Sequence, residues 1–174
     1  MLFTVGHSTL DLKDFLDLLQ EAQIAQVFDV RTLPGSNKFP HFNEEALAES
    51  LPAAGIAYSR EVSLGGLRGK TEGVDPQTNG FWQNASFHRY ADYAMGEKFK
   101  VGLKKVLKEV ETHNVAVMCA EAVWWRCHRR IIADYALAWD NQVKHLMPGG
   151  RISEASLTDG ARVGANGVVT YPKE

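Results

Sequence analysis

Residues 119–130, CAEAVWWRCHRR, crowd two thiols, a carboxylate, an imidazole and three guanidiniums into one short stretch. Such a set can supply a nucleophile, an acid or base, and a clamp for an anion. Cys127 stands where a helix is expected to begin, beside arginines, a setting that lowers a thiol pKa toward the thiolate. Cys119 closes an apolar run and is expected to be an inert buried residue. Arg126, His128, Arg129 and Arg130 crowd the expected first turn, where the positive end of the helix dipole makes each exposed cation costly by roughly 0.3–1 kcal/mol. A negative group is therefore expected there, either Glu121 or a bound anion. Arg130 has Asp134 four residues on and is expected to form a surface ion pair with it. Arg129 has no such carboxylate, so it is expected to bind the anion with His128 beside it.

The same chemistry recurs earlier in the chain. His7 and the pair Asp29 and Arg31 follow short apolar runs, and the loop over residues 33–42, with Ser36, two prolines and several rings, has the composition of a binding loop. His7, Asp29, Glu121 and Cys127 are the candidate catalytic groups. Arg31, Ser36, His128 and Arg129 are the candidate anion-binding groups, with Arg31 and Arg129 expected to share one pocket.

Elements that could bring these residues together are legible from periodicity. Apolar runs over residues 3–5, 27–30, 56–58, 115–119 and 142–147 read as strands. Between them lie helical stripes: Leu12, Phe15, Leu16 and Leu19; Leu47 and Leu51; Phe87, Tyr90, Ala91 and Ala94; Phe99, Leu103, Val106, Leu107 and Val110; and Ile131, Ile132, Tyr135 and Trp139. Ser8 with Asp11 spells a capping box for the first helix. The alternation predicts one α/β domain over residues 1–174, with three layers: a mainly parallel sheet of about five strands and helices on both faces. Thr4, Phe28 and Val117 are expected on neighbouring central strands, the first two in adjacent strands of a βαβ unit, with the site at the carboxyl ends. Residues 64–84, rich in glycine, form a connection long enough to be a mobile lid. In the Gly-rich tail, residues 161–163 and 168–171 could pair across a turn.

His7 in VGHS, Asp29 and Arg31 in DVRTLPGS, Leu64-Gly65-Gly66, and CAEAVWWRCHRR together resemble the domain of unknown function 488 family over nearly the whole chain. The resemblance implies an α/β fold and no agreed reaction. One departure is that Asn37 and then Lys38 follow the serine, where the family often has a basic residue at once.

Two sharper chemistries fit less well. A cysteine phosphatase cradle needs five residues between cysteine and arginine, and Cys119 and Arg126 have one more. Cys119, Glu121, Cys127 and His128 lack the spacing of common zinc sites, so no metal is assigned, and no cofactor is named. A hydrophobic fraction of 45%, a charged fraction of 23% and a net charge of -2 describe a soluble globular protein with no general attraction to nucleic acid or membranes. With no secretory signal expected and only two cysteines, a cytoplasmic setting is expected. The leading reading is an enzyme that hydrolyses or transfers a group of a small anionic substrate, nucleotide- or phosphoester-like. A second is a non-catalytic nucleotide sensor or nucleic-acid-binding module using Arg68, Lys70, Phe81 and Trp82; a third has Glu121 and Asp29 merely neutralising the arginines. An acid or base within hydrogen-bond reach of the anion separates enzyme from sensor.

Overall fold

Strand Val115–Cys119 (β4) is buried along its whole length and occupies the middle of a six-stranded sheet. In the computed structural model, which describes residues 1–35 and 37–173, it lies between Leu2–Gly6 (β1) and Gln26–Asp29 (β2) and is parallel to both. Ala57–Arg60 (β3) extends the sheet beyond β2, and Val143–Met147 (β5) runs parallel to the other side of β1. The mainly parallel α/β sheet read from the alternating pattern is present. Thr4, Phe28 and Val117 do lie on neighbouring strands, but β1 and β2 are not adjacent, because the most apolar strand inserts between them.

Period-2 alternation divides the side chains between two cores. Phe3, Val5, Val27, Ala116 and Met118 face Leu12–Glu21 (α1) and Glu44–Ala53 (α2) through Phe15, Leu19, Leu47 and Leu51. Leu2, Phe28, Val115, Val117 and Cys119 face the other way, onto Ala85–Ala94 (α3), Glu97–Val110 (α4) and Arg129–Ala138 (α5). Every helical stripe read from the sequence contributes to one of these cores, which is why helices cover both faces.

Several local expectations give way to tertiary contacts. The cap of α1 is Asp11, whose side chain accepts from the Asp14 amide at 2.8 Å. Ser8 instead takes a positive φ of 51°, and its amide donates to Ala120 across the sheet end. The tail forms not only the pair Arg162–Val163 (β7) and Val169–Thr170 (β8) but also Arg151–Glu154 (β6), antiparallel to β5. That edge strand carries only half-buried and exposed residues, so it has no apolar signature; the pointer to it was Gly149-Gly150, both at positive φ in the turn. Arg130 and Asp134 are linked through Thr158 rather than as an open surface pair. Asp134 is buried and also accepts from the Tyr171 hydroxyl at 2.7 Å.

The long connection before α3 is tied down at several points. Tyr90 and Tyr93 donate to the carbonyls of Leu64 and Ser63, Asn79 is fully buried against Asp92, and Trp82 is buried on Phe87. Trp82 is therefore not the exposed stacking platform expected for a nucleic-acid surface.

Candidate active site

The β4 chain leaves the sheet at Cys119 and passes directly over the end of β1. A Cβ on Gly6 would lie 1.7 Å from the Glu121 carbonyl oxygen, so only glycine permits this crossing. The amides of His7 and Ser8 donate to the carbonyls of Cys119 and Ala120, which fixes the start of the connection. A short 3-10 turn over Trp124–Arg126 then reverses the chain, and Trp124 stacks on His145 of β5 with 4.4 Å between ring centroids. Cys127 is extended, and α5 begins two residues later than its position suggested.

This reversal brings the two thiols together. Cys119 Sγ and Cys127 Sγ are 2.8 Å apart, both buried and both unbridged. Arg129, fully buried at the start of α5, turns inward: Nε donates to Cys127 Sγ at 3.4 Å, Nη1 to Thr4 Oγ1 at 3.3 Å and Nη2 to the Glu121 carbonyl at 2.6 Å. Thr4 passes its own hydroxyl proton toward His145 Nδ1 at 2.6 Å. Burial would push the Cys127 thiol up, but hydrogen bonding with Cys119 and His128 and the electrostatic influence of His128 and the buried Arg129 guanidinium outweigh it and hold Cys127 well below the usual thiol range. Cys119 moves the opposite way, raised by burial and by its neighbour's negative charge. The two thiols titrate as one coupled pair, in which Cys127 is the member whose ionised form its surroundings favour.

His128 lies beside this centre, its Nδ1 3.6 Å from Cys127 Sγ and its Nε2 buried without a hydrogen-bond partner. Both cysteines, His128 and Arg31 line a cleft of about 290 Å³ whose walls include Phe87, Tyr90, Gly66 and Leu67 and whose rim carries the exposed Arg126. Gly66 allows the His128 ring to approach, since a Cβ there would stand 3.2 Å from Nδ1.

The second group of expected residues forms its own network at the end of β2. Arg31 grips Asp29 with Nε to Oδ1 at 2.9 Å and Nη2 to Oδ2 at 2.7 Å, while the Arg31 amide and the Tyr58 hydroxyl also donate to that carboxylate. Asp29 is fully buried and its lone pairs are taken, so it serves as the anchor of Arg31. His7 Nδ1 donates to the Ser8 carbonyl at 2.9 Å, leaving Nε2 to accept from Arg31 Nη1 at 3.3 Å. Burial, with Arg31 adding to it, lowers the His7 pKa to about 4, and the ring stacks on Phe42. His7 is therefore a neutral acceptor that positions Arg31. Arg31 also borders a second hollow with His7, Leu33 and Phe39, and with Ala120 and Glu121 it lines both cavities.

The residues expected to share one pocket are thus divided. Arg31, Glu121, Cys127 and His128 line the cleft, whereas Arg129 lies behind the cysteines and faces their sulfurs. The Glu121 carboxylate bends onto the Val123 amide, and it is the Glu121 backbone carbonyl that meets Arg129. Ser36 lies outside the described residues. Arg68 folds back over Tyr93 and donates to the carbonyls of Gly65 and Val62. The partnership of Cys119 with Cys127, and the roles of Thr4 and His145, had no local sequence signal.

Fold and site define an α/β protein with a cysteine-centred cleft at the carboxyl edge of a parallel sheet. The pattern of the family described as Domain of unknown function DUF488 matches residues 11–136, and the chain belongs to that family. Neither a curated protein nor a solved structure shows a significant match to the chain. Among the described residues, no helix is long and apolar enough to cross a membrane.

Proposed function

We propose that this protein is a thiol-dependent enzyme acting on a small anionic, phosphoester- or nucleotide-like substrate, by hydrolysis or group transfer. The observation that carries this reading is the placement of the Cys127 sulfur, backed by the Arg129 Nε at 3.4 Å, at the wall of a cleft that also presents Arg31 and Arg126. The two guanidiniums hold the anion, and Phe87 and Tyr90 offer a flat apolar wall to an aromatic portion such as a base. Cys127 Sγ attacks the electrophilic centre, the bond to the leaving group breaks, and water or a second acceptor then displaces the product from sulfur. His128, in contact with that sulfur, moves the proton to the leaving group and from the incoming one. Arg129 keeps the attacking sulfur ionised from behind, and Asp29 with His7 holds Arg31 in place.

Alkylation of Cys127 by iodoacetamide, followed by mass spectrometry, tests both halves of the reading. Cys127 should react at neutral pH ahead of Cys119, and inorganic phosphate or a nucleoside monophosphate should slow the reaction at least several-fold. Arg126→Ala should lose most of that protection while its unprotected rate stays high. Preferential labelling of Cys119, or no protection by any phosphate compound in the wild type, would overturn the proposal.

A further inference from the structure

Cys119 and Cys127 are the only cysteines in the chain, and different elements hold them. Cys119 is fixed in the sheet, paired in register with Gly6, whereas Cys127 lies in the extended link ahead of α5. Their sulfurs need approach by less than about 1 Å to reach the roughly 2.05 Å of a covalent S–S bond. Both line the cleft, so a small molecule that reaches one sulfur finds the other adjacent.

We propose that Cys119 and Cys127 form a reversible dithiol–disulfide couple that reduces small hydroperoxides, with Cys127 attacking and Cys119 resolving. The couple draws on the same reactive Cys127 as the proposed function but does not require an anion. In the first step Cys127 sulfur attacks one peroxide oxygen; an S–O bond forms, the O–O bond breaks, and the departing alkoxide or hydroxide takes a proton to leave as alcohol or water. In the second, Cys119 loses its proton and its sulfur attacks Cys127 sulfur, forming S–S as S–O breaks, and the departing hydroxide takes a proton to leave as water. The two thiols lose two electrons and the peroxide gains two. An external dithiol restores the pair by thiol–disulfide exchange and is itself oxidised to a disulfide.

The surroundings favour the reduced form. In the disulfide, Arg129 keeps only the neutral acceptors Thr4 Oγ1 and the Glu121 carbonyl for a fully buried charge. Stabilising the reduced state makes a couple more oxidising, so dithiols should reduce it readily.

The experiment treats the reduced wild-type protein with a slight excess of hydrogen peroxide and follows intact mass, free thiols and chain mobility on a non-reducing gel. The expected product is monomeric, lighter by two hydrogens, without free thiols, and restored by dithiothreitol. Cys119→Ser, with Cys119→Ala as a second variant, should instead accumulate a sulfenic acid at Cys127 that dimedone captures. A wild type that gives dimedone-trapped or over-oxidised Cys127 with no internal bridge, that links two chains, or that keeps both thiols would overturn the couple. Phosphate protection of Cys127 is measured on the same reduced protein: its loss with bridging intact sinks the anion reading alone, and the reverse result sinks only the couple.

Discussion

Arg129 Nε points at Cys127 Sγ from 3.4 Å, with the guanidinium wholly buried and Nη1 and Nη2 donating to Thr4 Oγ1 and the Glu121 carbonyl. A cation sealed behind a thiol has one electrostatic purpose that solvent cannot dilute, which is to favour the thiolate. The arginine thus acts on the Cys127 sulfur from the protein side, while Arg31 and Arg126 line the cleft.

Removing that charge should therefore raise the Cys127 pKa. Arg129→Met is expected to move the rise of thiolate ultraviolet absorbance to higher pH and to slow alkylation at neutral pH by up to about tenfold for each pKa unit gained above neutrality. Arg129→Lys, which keeps charge but loses the planar fork, should fall between the two. Unchanged titration in a folded Arg129→Met protein would remove the arginine from the account of reactivity.

Acid should destabilise the fold before the carboxylates titrate. His7 and His145 are held neutral, chiefly by burial, with pKa values of about 4 and about 3 against an ordinary 6.5. Below pH 6.5 the unfolded chain binds protons that the folded one refuses, so stability falls as pH drops through that window and is fully retained above it. The urea midpoint should decline steadily between about pH 6.5 and about pH 4. His145→Asn, which keeps an acceptor for Thr4, should make that decline shallower; an identical slope would show that His145 does not contribute.

Gly6 is the narrowest point of the construction, since the Glu121 carbonyl occupies the space of its missing side chain. Gly6→Ala must displace the 120–122 backbone or the end of β1, at a cost of about 1–3 kcal/mol or more. A lowered urea midpoint together with slower Cys127 alkylation is the expected outcome, because the displaced carbonyl is also an acceptor for Arg129. A variant as stable and as reactive as the wild type would show that the crossing is not constrained.

Local pattern determined much of this molecule. β-branched apolar runs and i, i+3, i+4 stripes carried the strands and helices of both cores, because burial on a sheet or helix face repeats with the geometry of the backbone itself. The thiol-and-arginine segment and the Asp29–Arg31 pair were legible for the same reason: their chemistry is carried by near neighbours in sequence. Strand order, the meeting of Cys119 with Cys127, and the inward turn of Arg129 were not legible. Thr4 and Arg129 are 125 residues apart, His7 and Arg31 are 24 apart, and Gly6 meets Glu121 only because β4 inserts beside β1. Whether an arginine at a helix start faces solvent or a buried thiol depends on what the remote strands leave open behind it, and that choice belongs to packing and desolvation rather than to any local spacing.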